Sequence, residues 1–187
     1  MAGIKLEEYA YILDYLSQGI PTNNFGKKEP LCYALGDDEF KLFELVPKAT
    51  AIVNIGERVY IGKDPGKRVI IDHVKRRIGP SDLTHGAVAE LEYCITEIVL
   101  TNQARFIRFF NEAEPISMRK HLLEELPGLG KKTMTAILDE RSKNGPFKDF
   151  KDLSDRSGVK NPEKLISARI SQEVKDNDMK RYLFVSK

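Results

Sequence analysis

The hydrophobic period of the chain changes near Ser81, from two residues to three or four, and no other feature limits the possible folds as much. Upstream of that point apolar residues alternate. In YAYILDYL, residues 9–16, Tyr9, Tyr11, Leu13 and Tyr15 share one face of a strand. The longer LEEYAYILDYL also fits an amphipathic helix; we take the strand. LCYAL and FKLFELV flank Gly36, Asp37, Asp38 and Glu39, which predicts a hairpin with a four-residue loop. ERVYIG and RVIIDHVKRRI form a second pair around Lys63, Asp64, Pro65, Gly66 and Lys67. Before them, QGIPTNNFGKKEP is rich in turn residues and has no period. Five short strands with turns between them predict a small barrel, because closure removes the exposed edges that a meander would leave.

Downstream, Val88, Leu91, Ile95, Ile98 and Val99 recur at helical spacing. Phe106, Phe109, Phe110 and Ala113 continue it after Thr101 and Asn102, which can cap a new helix. Pro115 closes that pair. Ser117 is the expected cap of the next helix, lined by Met118, Leu122, Leu123 and Leu126. The fold class is therefore α+β with two domains: a five-stranded barrel over residues 1–80, connecting helices over 81–114 and an all-α domain over 115–187.

A length of 187 residues with 41% hydrophobic and 31% charged residues suits a soluble protein with a real core. No apolar run approaches the roughly 20 residues of a membrane span, and MAGIKLEEYA lacks the pattern of a signal peptide. The expected location is cytoplasmic, with no membrane partner. Cys32 and Cys94 stand alone, so we expect reduced, buried thiols and no metal.

The net charge is +2, yet charge is segregated along the chain. Residues 57–80 carry seven basic against three acidic groups, and residues 127–187 fourteen against nine. Residues 1–56 and 81–126 are acidic, at −3 and −4. Local basic blocks attract a polyanion whatever the total charge, so nucleic acid is the expected class of partner.

The second basic block opens with LPGLGKKT, residues 126–133. Pro127 disfavours helical backbone at Leu126, so the incoming helix should end there. Gly128 and Gly130 can take positive φ and let another backbone approach, while Leu129 turns inward as an anchor. A new helix then starts, with Met134, Ile137 and Leu138 on its buried face. Its first N–H groups have no partner within the helix, and the positive end of its dipole faces outward. Bare glycines, free amides and the charges of Lys131 and Lys132 beside Thr133 together make an anion site.

From about Ser117 to Lys143 this segment resembles the helix-hairpin-helix motif, which grips successive phosphates of a nucleic-acid backbone through main-chain amides. A weaker copy follows. Gly158 and Val159 match Gly128 and Leu129, but Lys160 replaces the second glycine, and Pro162 and Glu163 stand where Lys132 and Thr133 stand in the first. This copy should fold, completing a compact helical unit with Leu165, Ile166, Ile170 and Val174, and bind weakly. The other basic block offers Arg58, Tyr60, Lys63, Lys67, Arg68, Lys75, Arg76 and Arg77 as barrel contacts, in the manner in which OB-folds hold single strands.

Over its whole length the chain resembles an uncharacterised archaeal family that joins an OB-like barrel to a tandem helix-hairpin-helix domain. The resemblance is carried by ERVYIGK at 57–63, RFIRFFNEAEPIS at 105–117, LPGLGKKTM at 126–134 and PFKDFKDL at 146–153. It implies nucleic-acid binding, RNA more often than DNA, with no established activity.

Other candidates fail on spacing. GKDPGKR at 62–68 has three residues between its glycines where a phosphate loop has four, and Arg68 where Ser or Thr should be. His73, His85 and His121 have no cysteine or carboxylate at ligand spacing, and no nucleophile with its base is apparent. We therefore expect a non-catalytic protein with no cofactor. It binds RNA or DNA, with structure-specific DNA binding as one alternative. Another is a protein-interaction module using the acidic helical block and its rings Phe106, Phe109 and Phe110.

Overall fold

The structure, a computed structural model, describes residues 5–20 and 28–187, so most of the irregular stretch noted between the first two strands lies outside the described residues. The protein is α+β. A curled five-stranded antiparallel sheet, a half-barrel, is built from β1 (Tyr9–Leu16), β2 (Leu31–Gly36), β3 (Leu42–Pro47), β4 (Arg58–Tyr60) and β5 (Ile71–Arg77) in the order β4-β1-β2-β3-β5. The expected β2–β3 hairpin forms. β4 and β5, expected to pair with each other, do not: β4 pairs with β1 and β5 with β3, at opposite edges. In their connection the Asp64 side chain accepts the Gly66 N–H at 3.0 Å and caps a short 3-10 turn at Pro65–Lys67.

The alternating pattern in β1 is broken by a bulge. Ile12 faces Ala34 and Asp14 faces Tyr33, leaving Leu13 as an extra residue. Tyr15 therefore points with Ala10 and Ile12 into the core of Cys32, Ala34, Phe43, Leu45, Val59, Ile61 and Ile71, away from the Tyr9 and Tyr11 side. The opposite face of β2 and β3 is buried as well. Asp14 on that face binds the hydroxyl of Thr84, which in turn accepts the Ala87 N–H at 3.1 Å and so starts α1 (His85–Thr101). Burial and the carboxylate of Asp14 push the Cys32 thiol up to about 12, which makes it an inert core residue.

The chain forms two compact units: the described residues up to Cys94 together with Glu173–Lys187, and Ile95–Gln172. In the first, the buried carboxylate of Glu173 accepts the N–H groups of Leu183, Phe184 and Val185 at 2.7, 2.9 and 2.9 Å, and Ser186 donates to the Glu39 carbonyl at 3.2 Å. The second contains α2 (Gln103–Glu112), the two-stranded β6 (Pro115–Ser117) and β7 (Lys120–His121), α3 (Lys131–Asn144), α4 (Phe150–Ser157) and most of α5 (Pro162–Lys175).

Candidate nucleic-acid interface

The approach to the LPGLG segment differs from the helix expected after Ser117. The Ser117 hydroxyl accepts the Arg119 N–H at 3.2 Å and turns the chain into β7, leaving Met118 fully exposed. His121 then caps a single 3-10 turn, Leu122–Glu125: its Nδ1 accepts the Leu123 N–H at 3.1 Å, and Glu124 accepts the His121 N–H at 2.6 Å. Two cations fix the end of that turn. Lys120 Nζ lies 2.6 Å from the Glu125 carboxylate, and buried Arg169 reaches the Glu125 carbonyl at 3.2 Å and its carboxylate at 3.3 Å.

Leu126 is extended, as a residue before proline should be, and Gly128 has φ +87°. The Leu129 N–H closes the turn on the Leu126 carbonyl at 3.3 Å, with Leu126 buried and Leu129 half-buried beneath it. Gly130 caps α3 through its carbonyl, which accepts the Met134 N–H at 2.9 Å, and no side chain caps the amides. Among the described residues the N–H groups of Lys131, Lys132 and Thr133 have no acceptor. A methyl group built on Gly130 meets no atom within 4 Å, and one on Gly128 meets only Leu165 Cδ2 at 3.5 Å. The corner is thus open to solvent. Lys131 and Lys132 are exposed, and among the described residues neither has a carboxylate partner. All six residues from Gly128 to Thr133 are brought together.

The second connection shares the left-handed glycine of the first but not the course after it: Asn161, which aligns with Lys131, has φ +48°, and Pro162, which aligns with Lys132, removes one donor. Asp149 accepts the Asp152 N–H at 2.8 Å and starts α4, whose Phe150 and Leu153 are buried. Gly158 ends it with φ +77°, Val159 is buried as Leu129's counterpart, and Pro162 opens α5 with no N–H to offer. The Lys164 N–H is taken by the Asn161 carbonyl at 2.9 Å.

In the sheet unit the eight candidate contacts, seven basic residues and Tyr60, have different surroundings. Arg58 lies 3.7 Å over the Tyr9 ring and 2.7 Å from Asp37. Arg76 forks onto the buried carboxylate of Glu44 at 2.6 and 2.9 Å, and Lys75 sits 3.9 Å from Glu29. Arg77 is exposed opposite Phe43. Tyr60, Lys63, Lys67 and Arg68 converge on one cavity of about 690 Å³, which Leu6, Glu8, Phe43, Ile61 and Val74 also line. Sequence reading missed those five, because they come from the lead to β1, from β3, from the end of β4 and from β5, and no local motif links them.

In the acidic helical block Phe106 and Phe110 are wholly buried, and Phe109 is half-buried with its ring edge-on to Phe110, so core packing accounts for the first two rings. Among the described residues no group of three His, Cys, Asp or Glu side chains is placed to hold a metal ion, and no helix is long and apolar enough to cross a membrane.

What fold and site define is an α+β protein that pairs a half-open sheet with a helical unit carrying a glycine-lined, cation-flanked helix start. Residues 6–186 match the family described as a protein of unknown function, DUF655, and the chain belongs to that family. It is 46% identical over 182 residues to the uncharacterized protein MJ0038 of Methanocaldococcus jannaschii, spanning 97% of this chain and 81% of that protein. The crystal structure of Af1531 from Archaeoglobus fulgidus, a DUF655 protein, superposes with a TM-score of 0.87 at 39% identity, covering 96% of this chain and 100% of that one.

Proposed function

We propose that this is a non-catalytic nucleic-acid-binding protein that grips the phosphodiester backbone at the start of α3, with the basic rim of the sheet unit as a second surface. One observation carries the reading: an open corner where, among the described residues, three amides have no acceptor and two lysines no carboxylate partner. An oxyanion seated there gains charge-assisted hydrogen bonds and the positive end of the helix dipole. On this reading the 3-10 turn with α3, and α4 with α5, are two helix-hairpin-helix copies, the second disarmed by Pro162. The strand order agrees with an OB-like barrel left open between β4 and β5. RNA is favoured over structure-specific DNA binding, because a half-open sheet with an aromatic and cations suits unpaired bases.

Affinity is largely electrostatic. With about four phosphates neutralised, log affinity against log salt falls with a slope of roughly −3 to −4. The double change Lys131→Glu with Lys132→Glu reduces the magnitude of that slope by about two or more and weakens binding to every oligonucleotide, with the thermal midpoint unchanged. Fluorescence anisotropy across a salt series, with matched RNA and DNA competitors, tests both points. A flat salt response, or a variant with unchanged affinity, refutes the reading.

A further inference from the structure

Between β4 and β5 the sheet has no ladder, and the cavity of about 690 Å³ opens at this seam. Phe43, Ile61 and Val74, which are part of the sheet's core or packed against it, line the cavity, and the carboxylates of Glu7, Glu8 and Asp64 line it as well. Tyr60 forms one wall, half-buried with its ring edge-on to Tyr9 at 5.3 Å. Leu6 stands at the lip, 54% exposed. Lys63 and Lys67 ride on the rim. Both are exposed, and among the described residues neither ammonium has a carboxylate partner; Lys67 hangs 5.8 Å from the centroid of the Tyr60 ring.

An extended peptide closing the sheet is a poor occupant. Arg68 already spans the seam, donating to the Gly62 carbonyl at 2.7 Å and the Asp72 carbonyl at 3.2 Å, acceptors that an added strand would need. The pairing of β5 with β3 is irregular at two places, which twists that edge away from a straight partner. A planar ring needs no main-chain ladder. It needs an apolar floor, an aromatic wall and, where it carries a phosphate, a cation at the rim.

We propose that the seam receives one unpaired nucleotide of the bound polynucleotide, its base over Phe43, Ile61 and Val74 beside Tyr60 and its phosphate against Lys63 and Lys67. This rests on the nucleic-acid reading above and adds selectivity to it. The start of α3 holds any backbone, while a base stacked and paired inside a duplex cannot enter the seam without being taken out of the stack. The protein therefore prefers ends, junctions and single strands to blunt duplex.

The test uses the full chain, labelled with nitrogen-15 and titrated separately with adenosine monophosphate and inorganic phosphate. Adenosine monophosphate shifts the amides of Tyr60, Gly62 and Val74, and Leu6→Glu, at an exposed position, abolishes those shifts. Shifts that are absent, confined to residues 128–133, or reproduced by phosphate alone overturn the proposal. In a second arm, a duplex with a single-stranded overhang binds about tenfold more tightly than the blunt duplex, the increment of one stacked base. Equal affinities also overturn it. The Lys131→Glu, Lys132→Glu variant separates the two readings. It should lose the blunt duplex and keep the nucleotide-induced shifts; unchanged duplex affinity refutes the backbone grip, and the nucleotide arm still stands or falls by itself.

Discussion

At Gly128 the backbone φ is +87°, where a side chain is strained, whereas Gly130 has φ −76° and empty space around its missing side chain. The two glycines therefore answer differently to one methyl group. Gly128→Ala costs about 1–2 kcal/mol of stability, the penalty of left-handed backbone. Gly130→Ala shifts stability by less than about 1 kcal/mol, because a freer unfolded chain and a poorer helix cap oppose each other. Its methyl projects into the open corner, so affinity for oligonucleotides falls without loss of fold. Urea titration and anisotropy on the pair check this; equal stability losses would mean that both glycines serve packing alone. His121 adds a pH dependence. Burial and Arg141 lower its pKa below 6.5, opposed by Glu124, and its unprotonated Nδ1 accepts the Leu123 amide. The unfolded chain binds the proton more readily, so this contribution is full above about pH 6.5 and is lost as pH falls through the lowered folded value. Glu7, raised by burial, works the other way at lower pH. His121→Asn, which keeps a capping acceptor and does not titrate, flattens the stability profile between pH 7.5 and 5 in thermal melts; an unaltered slope rejects the assignment. The left-handed turn at Gly128 was legible in the sequence because local backbone chemistry fixes it, whereas Gly130, read the same way, keeps an ordinary φ. The cap at His121 was not legible, since a histidine acting as acceptor leaves no periodic trace.

Among the elements, the strands and helices were legible where their periods were clean, and illegible where one side chain overrode the pattern. The bulge at Leu13 reversed the second half of β1, and the Ser117 hydroxyl turned a predicted helix into β6 and β7. The partners of β4 and β5 were misread because pairing depends on strands far away in sequence, while the Pro65-Gly66 turn between them looks like a local hairpin. That pairing decides what the basic residues of β5 can do. Arg76 faces Glu44 across the β3–β5 ladder, and Glu44 is 1% exposed, so the guanidinium neutralises a buried carboxylate. Arg76→Ala therefore lowers the thermal midpoint and leaves nucleic-acid affinity little changed once folded protein is compared at lower temperature. Lys63→Ala does the reverse. Calorimetry beside anisotropy distinguishes them, and an Arg76→Ala protein of unchanged midpoint that binds weakly would return Arg76 to the contact surface.

For the whole molecule, the sheet unit is discontinuous: residues before Cys94 are completed by Glu173–Lys187. No local pattern in the YLFV stretch assigns it a partner, because its anchor is a buried glutamate that in sequence looks like an exposed helix residue. Glu173 gathers three consecutive amides of the tail, Val185 is buried, and Ser186 ties to the β2–β3 turn at Glu39. Removing the carboxylate leaves those amides to water and a cavity where the tail packed. Glu173→Ala therefore destabilises the sheet unit by roughly 1–3 kcal/mol, the scale of an unsatisfied buried polar group. A chain ending at residue 175 does the same without altering Glu173 itself. In both proteins hydrogen exchange should quicken at the β2–β3 turn and in β1 before it quickens in α3 and α4. Uniform acceleration in every element would mean that the chain unfolds as one cooperative body, and protection retained at the β2–β3 turn would mean that the tail is no part of that unit's stability.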